Sequence, residues 1–268
     1  MRNTFDERLV PDDSAKQHII YDEHLIRYEL AKEFVKDKTV LDIACGSGYG
    51  TKILAEAGAR EVEGIDISEE AIISARKNYE NNNIKYSVGN AEAIELEDKT
   101  IDAVVSFETI EHLKNYDKFL SELKRVLKEE GLAIISTPNK DLSQEKNPYH
   151  IKEFNEREFI EAIKRYFPYC FLYKQFNGLA TCIKAPATTG ENDAKDKIIL
   201  NSKGDPVYFI AVCSRQDISD KIPAGAIAEV NTKALDTLYN NPGLKIINKI
   251  YSIIIKVPRI KKILSNFS

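Results

Sequence analysis

Short β-branched runs alternate along this chain with longer, charged, amphipathic segments. The runs fall at Thr39-Val40-Leu41-Asp42-Ile43-Ala44, Glu61-Val62-Glu63-Gly64-Ile65-Asp66, Ile84-Lys85-Tyr86-Ser87-Val88, Ile101-Asp102-Ala103-Val104-Val105-Ser106 and Leu132-Ala133-Ile134-Ile135-Ser136. Helix candidates lie between and around them, near residues 22–36, 50–57, 69–81, 115–128 and 155–166. Such alternation is the mark of successive βα units feeding a mostly parallel sheet. Ser68, just before Glu69 and Glu70, stands where a hydroxyl caps an orphan amide and two acids favour the positive helix end. After the fifth run the rhythm changes. Tyr169 to Phe176 and Val207 to Cys213 read as two more strands, joined by a polar stretch with no helical period. The pattern therefore predicts an α/β fold with a seven-stranded, mostly parallel sheet closed by an antiparallel C-terminal hairpin. Residues 1–213 read as one domain, with an N-terminal helix at 20–36 and an irregular insertion at about 178–205, where Pro186, Thr188, Thr189, Gly190, Glu191 and Asn192 cluster. Residues 214–268 read as a C-terminal helical extension.

Composition narrows the classes. The 268 residues carry a formal charge of −4, with a pI near 5.7, so no chain-wide field favours nucleic acid and a small or locally docked substrate fits better. Cys45, Cys170, Cys182 and Cys213 are far apart, with no C-x-x-C spacing for zinc or redox work, which suits a reducing, cytoplasmic setting. The first twenty residues mix Arg2, Asp6, Glu7, Arg8, Asp12 and Asp13 without an apolar stretch, so neither a signal peptide nor a membrane span is expected.

The sharpest local signal is Val40-Leu41-Asp42-Ile43-Ala44-Cys45-Gly46-Ser47-Gly48-Tyr49-Gly50, an apolar strand running into a glycine-rich turn that opens a helix. Glycines there let backbone approach a ligand closely. The spacing G-x-G-x-G departs from the G-x-G-x-x-G of dinucleotide sites, and a carboxylate at Asp42 is wrong for a pyrophosphate yet right for a ligand carrying an ammonium group. Asp66 ends the second run, where an acid accepts hydrogen bonds from ribose hydroxyls. Asn90 and Ala91 follow the third run, where an amide reads an adenine edge. Together these segments resemble the successive motifs of class I S-adenosylmethionine-dependent methyltransferases, over roughly residues 20 to 213. The resemblance implies a Rossmann-like three-layer sandwich and S-adenosylmethionine as cofactor. It also implies Gly46 and Gly48 along the methionine portion, Asp66 on the ribose, Ile67 on the adenine, Asn90 and Ala91 at its edge, and Phe107 near the donor. Many relatives carry Asp where this chain has Asn90. The segment with His24, Arg27 and Tyr28 resembles one that reaches the donor carboxylate in some relatives, with Arg27 the suitable cation; a solvated helix face is the alternative.

The acceptor side offers Phe107-Glu108-Thr109-Ile110-Glu111-His112 after the fourth run and Asn147-Pro148-Tyr149-His150 after the fifth. If the first segment opens a helix, Glu108, Glu111 and His112 share one face. Three readings stand. Glu108, Glu111, His112 and His150 form an O/N ligand set suited to Mg²⁺ or Mn²⁺; His112 or His150 acts alone as general base; or the acids favour a helix start and the histidines satisfy local hydrogen bonds. The first is similar to the Glu-x-x-Glu-His site of small-RNA 3′-terminal 2′-O-methyltransferases and, in part, to ubiquinone-pathway O-methyltransferases.

Phe5 to Pro11 and Glu23 to Tyr28 resemble methyltransferases found with bacterial surface-polysaccharide machinery, which implies a glycan or other small hydroxyl acceptor. From Gly243 onward Lys245, Lys249, Lys256, Arg259, Lys261 and Lys262 interleave with isoleucines and no acid. Such a basic amphipathic helix suits peripheral contact with an anionic membrane, or docking on its own domain or on a second subunit in a homodimer. The expected function is O-methylation of a sugar or small hydroxyl compound. The alternatives are methylation of an RNA terminus and a non-catalytic donor-binding scaffold.

Overall fold

The computed structural model describes residues 19–142, 147–176, 180–183, 197–200 and 205–223. Helix α1 (Ile19–Lys32) precedes β1 (Thr39–Ile43), α2 (Tyr49–Glu56), β2 (Glu61–Asp66), α3 (Glu69–Tyr79), β3 (Ile84–Val88) and β4 (Ile101–Ser106). There follow α4 (Tyr116–Val126), β5 (Leu127–Pro138), α5 (Glu156–Lys164), β6 (Tyr169–Gln175), β7 (Ala180–Ile183), β8 (Lys197–Leu200) and β9 (Tyr208–Ser214). Seven strands form one sheet in the order β3-β2-β1-β4-β5-β9-β6. The pairs β3–β2, β2–β1, β1–β4 and β4–β5 are parallel, while β9 runs antiparallel to both β5 and β6, from Leu132↔Ser214 on one side and Tyr169↔Ser214 on the other. The mostly parallel sheet with an antiparallel C-terminal pair is thus the one the pattern predicts. The last strand, however, inserts between β5 and β6.

The central strands are apolar at nearly every position because both faces are covered. Leu41, Val104, Ala133, Ile135 and Ala211 point into one core, with Phe119, Leu120 and Leu123 of α4 and Phe159 and Ala162 of α5. Val40, Ala103, Val105, Leu132, Ile134, Ile210 and Val212 point into the other, with Tyr28 and Leu30 of α1 and Leu54 of α2. The alternation along each strand makes the three layers. Capping matches the sequence at α3, where the Ser68 hydroxyl accepts from the Ala71 N–H. At α5 Asn155 and Glu158 form a reciprocal capping box.

Three boundaries differ. Helix α1 stops at Lys32 instead of 36, because Glu33, Phe34 and Val35 bond back three residues, to Leu30, Ala31 and Lys32. The tighter turn still buries Phe34 and Val35. The segment at 110–112 is a single 3-10 turn and not the start of a helix. Inside the insertion read as irregular, β7 and β8 pair as an antiparallel ribbon. Of the C-terminal extension, a 3-10 turn at Ser219–Lys221 is described, with Ile218 buried against the second core; the basic amphipathic tail lies outside the described residues. Among the described residues no helix is long and apolar enough to cross a membrane.

Candidate active site

The carboxyl ends of β1, β2, β4 and β5 face one crevice edge, where ligands of open α/β sheets bind. At the end of β1 the chain turns through Ala44 (φ +61°), Gly46 (φ +55°) and Gly48 (φ +84°) before entering α2. The two glycines do different work. A Cβ on Gly48 would lie 2.6 Å from the Ala75 Cβ and 2.9 Å from the Tyr86 ring, so this glycine lets α2 close against α3 and β3. A Cβ on Gly46 would meet nothing within 4 Å. Gly46 therefore borders open space, which is where a ligand must come close to backbone.

Asp42 is buried beneath this turn. Its Oδ2 accepts from the Thr51 hydroxyl at 2.6 Å and its Oδ1 from the Tyr28 hydroxyl at 3.4 Å. Burial pushes its carboxyl up to about 7, although both hydroxyls favour the anion. A positive ligand group nearby would restore the charge. Tyr28 also packs edge-on against Phe107 at 5.0 Å and Tyr49 at 5.7 Å. A Cβ on Gly50 would lie 1.9 Å from its ring, so α1 is seated directly on the glycine turn.

Asp66 ends β2 with both carboxylate oxygens oriented by backbone: Oδ2 accepts from the Gly46 N–H at 2.9 Å and Oδ1 from the Ser68 N–H at 2.8 Å. Each oxygen keeps a further lone pair for a ligand hydroxyl. Ile67 beside it is 69% exposed, a large apolar side chain held out over the crevice edge. Asn90 accepts from the Glu92 N–H through its side chain and pairs with Ala93, folding the loop after β3 with Ala91 buried beneath it.

The acceptor-side cluster divides. Glu111, His112 and His150 offer ligand atoms that all lie within 4.8 Å of one another. The His112 and His150 rings meet edge to face at 4.9 Å. The loop carrying His150 is docked on the 3-10 turn by Ile151 and Lys152, whose N–H groups both donate to the Glu111 carbonyl. Glu111 is wholly buried; the Thr137 hydroxyl donates to its Oε2, while Oε1 has no hydrogen-bond partner. Burial first, and then Glu108 nearby, push its carboxyl well above the ordinary range. His112 Nδ1 lies 3.1 Å from the Tyr149 carbonyl, an acceptor, so that nitrogen carries the proton. The Asn147 Oδ1 accepts from the Tyr149 N–H, which turns its amide nitrogen toward His150 Nε2 at 3.1 Å. His150 therefore donates from Nδ1 to Glu153 at 2.8 Å.

Glu108, the fourth residue of the expected ligand set, is turned elsewhere. It sits at φ +51°, its N–H donates to the Ser136 hydroxyl, and its carboxylate pairs with Arg27 at 2.7 Å. Arg27 is fully buried, not on a solvated face: it donates to the Glu23 carbonyl and to Ser136, and lies 4.2 Å over the Tyr208 ring. Sequence reading missed this pairing because it joins residues 81 positions apart, a distance no local pattern encodes. It also missed Thr51, the single polar residue on the buried side of α2. Glu153 was visible in principle, three residues after His150.

Fold and site together define a Rossmann-like protein with a glycine turn and two carboxylates, Asp42 and Asp66, gathered at the ends of β1 and β2. Residues 41–135 match the family described as "Methyltransferase domain". The chain is 32% identical over 163 residues to a protein of Mycolicibacterium smegmatis described as "Probable S-adenosylmethionine-dependent methyltransferase", covering 59% of this chain and 62% of that one. It is also 32% identical to the ubiquinone biosynthesis O-methyltransferase of Pelagibacter ubique, over 47% of this chain and 52% of the relative. Among solved structures, the PH0226 protein of Pyrococcus horikoshii shares the fold at a TM-score of 0.52 and 22% identity, covering 74% of this chain and 92% of that one. Residues 41–135 are thus a methyltransferase domain of the class I S-adenosylmethionine-dependent kind. The chain spans somewhat less than two thirds of the length of the curated relatives named here.

Proposed function

We propose that the protein transfers a methyl group from S-adenosylmethionine to a hydroxyl of a sugar or other small acceptor. Methyl transfer is an in-line displacement at a sulfonium carbon: an S–C bond breaks, an O–C bond forms, and the acceptor's proton must leave. Asp42 and the Gly46 backbone would take the amino-acid portion of the donor, Gly48 the packing that brings the turn there, Asp66 the ribose, Ile67 the adenine face, and Asn90 and Ala91 its edge. Phe107 would wall the donor beside Tyr28.

The single observation that carries the acceptor side is the convergence of Glu111, His112 and His150, with a buried Glu111 oxygen that nothing bonds. One carboxylate oxygen and two imidazoles make a mixed O/N donor set that would suit Mn²⁺ better than the oxygen-preferring Mg²⁺. Such an ion supplies Lewis acidity that lowers the pKa of a coordinated hydroxyl. Glu108, tied to Arg27, stands outside this set. A second reading is favoured by the His150–Glu153 bond: Glu153 holds the Nδ1 proton, which leaves the basic lone pair on Nε2 for the acceptor's proton once Asn147 yields it.

Donor-dependent labelling of candidate acceptors, with and without a chelator, separates these. Transfer that is lost on chelation, restored by Mn²⁺ and missing in Glu111→Ala supports the metal. Transfer that ignores chelation but fails in His150→Gln supports the base. Donor binding with no transfer to sugars, phenols or RNA termini would point to a scaffold. The remaining partner readings, a glycan acceptor, an anionic membrane surface or a second subunit met by the basic tail, are proposals that rest on sequence alone. The acidic balance argues against nucleic acid.

A further inference from the structure

The loop between β3 and β4 contains Asn90 and Ala91, yet residues 89–100 form no helix or strand of their own. Its hold comes from α4. Arg125 donates from Nε to Glu122 Oε1 at 2.8 Å, from Nη1 to the Leu96 carbonyl at 2.7 Å and Asp98 Oδ1 at 2.8 Å, and from Nη2 to the Ile94 carbonyl at 2.7 Å and Glu122 Oε2 at 2.8 Å. A guanidinium has five N–H donors, and these bonds use every one. Glu122 Oε2 in turn accepts from the Ile94 N–H at 2.8 Å, so both polar groups of Ile94 are read by one ion pair. Two further ties flank this fork. The Asn115 N–H, at the start of α4, donates to Glu92 Oε1 at 2.8 Å, and the Lys99 N–H donates to the Arg125 carbonyl at 3.0 Å. The loop is thus fixed at 92, 94, 96, 98 and 99 by one helix.

We infer that Arg125 and Glu122 are positioning residues of the donor site, which set the loop carrying Asn90 and Ala91 at the height where it reads the adenine edge. The inference rests on the donor reading above. An ordinary surface ion pair would not make this pattern: three of the five bonds go to the loop, and two of those are to backbone carbonyls that no other side chain bonds among the described residues. Lysine cannot replace the arginine, because a point charge with three donors on one atom does not span carbonyls two residues apart.

The test compares binding of S-adenosylhomocysteine and S-inosylhomocysteine by calorimetry. The two differ only at the base edge. Wild-type protein binds the adenosyl compound more tightly. In Arg125→Lys the adenosyl affinity falls about tenfold, equivalent to roughly one charge-assisted hydrogen bond, while the inosyl affinity changes little, so the ratio collapses. Asp98→Ala removes one bond from a side chain that is 70% exposed and tests the same ratio should Arg125→Lys not fold. It shrinks the ratio less. Ratios equal to wild type in the folded variants overturn the inference and leave the donor reading standing. Wild-type protein that binds neither compound overturns both.

Discussion

A methyl group added at Gly48 meets the Ala75 Cβ at 2.6 Å, whereas one added at Gly46 meets nothing. The two substitutions should therefore separate stability from binding. Gly48→Ala combines overpacking with a left-handed backbone and is expected to cost about 2–4 kcal/mol of stability, visible as a lowered Tm. Gly46→Ala carries only the backbone cost, about 1–2 kcal/mol, and folds. It loses S-adenosylhomocysteine binding, because the space at its Cβ belongs to the ligand. Equal loss of binding and stability in both variants would remove that assignment. Asp42 gives a pH prediction at the same scale. Its folded value of about 7 stands above the ordinary 3.8, so its contribution to stability is complete below about pH 4 and is lost as pH rises through 7. An ammonium ligand favours the anion, so binding near pH 6 releases a proton and affinity rises toward pH 8. Calorimetry in two buffers of different ionisation heat measures that release. Asp42→Asn should bind weakly, with a flat pH dependence and no loss of stability above pH 7. A flat wild-type profile would place the ammonium elsewhere.

Helix α1 is the element whose role the sequence leaves least legible. Its residues are polar enough to read as a solvated face, yet Arg27 is fully buried and Tyr28 is 5% exposed. The reason is that the partners are remote: Glu108, Ser136 and Tyr208 come from the ends of β4 and β5 and from β9. Strands β1 to β4, by contrast, were legible to within a residue: β1 and β4 as apolar runs buried on both faces, β2 and β3 as alternating β-branched runs. The glycine turn and Asp66 were legible because their spacing is local. The Glu111–His112 pair was legible as a motif, but the departure of Glu108 from it was not, since its φ of +51° and its ion pair are tertiary effects. The Arg27–Glu108 pair makes its own prediction. Arg27→Met strands a carboxylate that is only 17% exposed and should destabilise by on the order of 2–3 kcal/mol. Adding Glu108→Leu removes the stranded charge and should recover most of that loss in urea titrations. A double variant as unstable as the sum of the singles would mean that the two residues do not act as a pair.

Across the whole molecule, the parallel strands put their carboxyl ends on one edge, so the candidate donor and acceptor groups fall on that edge although they lie far apart in sequence. The insertion of β9 between β5 and β6 completes this edge from the C-terminal side. Tyr208 at its start donates to Glu23 Oε2 and lies beneath Arg27, and the Asn139 amide donates to the Pro206 carbonyl. The pattern of apolar residues located the strand but not its place, because periodicity records which faces are buried and not which neighbour buries them. That place has a consequence for truncation. A chain ending after Gln175 lacks the strand that pairs with both β5 and β6, and exposes Ile134, Ile135 and Phe171 along with unpaired backbone; it should not fold cooperatively. A chain ending after Pro223 keeps β9, the buried Ile218 and the bond from the Tyr173 hydroxyl to the Pro223 carbonyl. It should bind S-adenosylhomocysteine within about twofold of the full chain, a difference of under half a kcal/mol. Only the full chain, with its six basic residues after Gly243, should sediment with vesicles rich in anionic lipid, and added salt should release it. Sedimentation of both chains would move the membrane contact off the tail. Sedimentation of neither, together with a smaller apparent mass on removing the tail than its residues account for, would assign the tail to a second subunit.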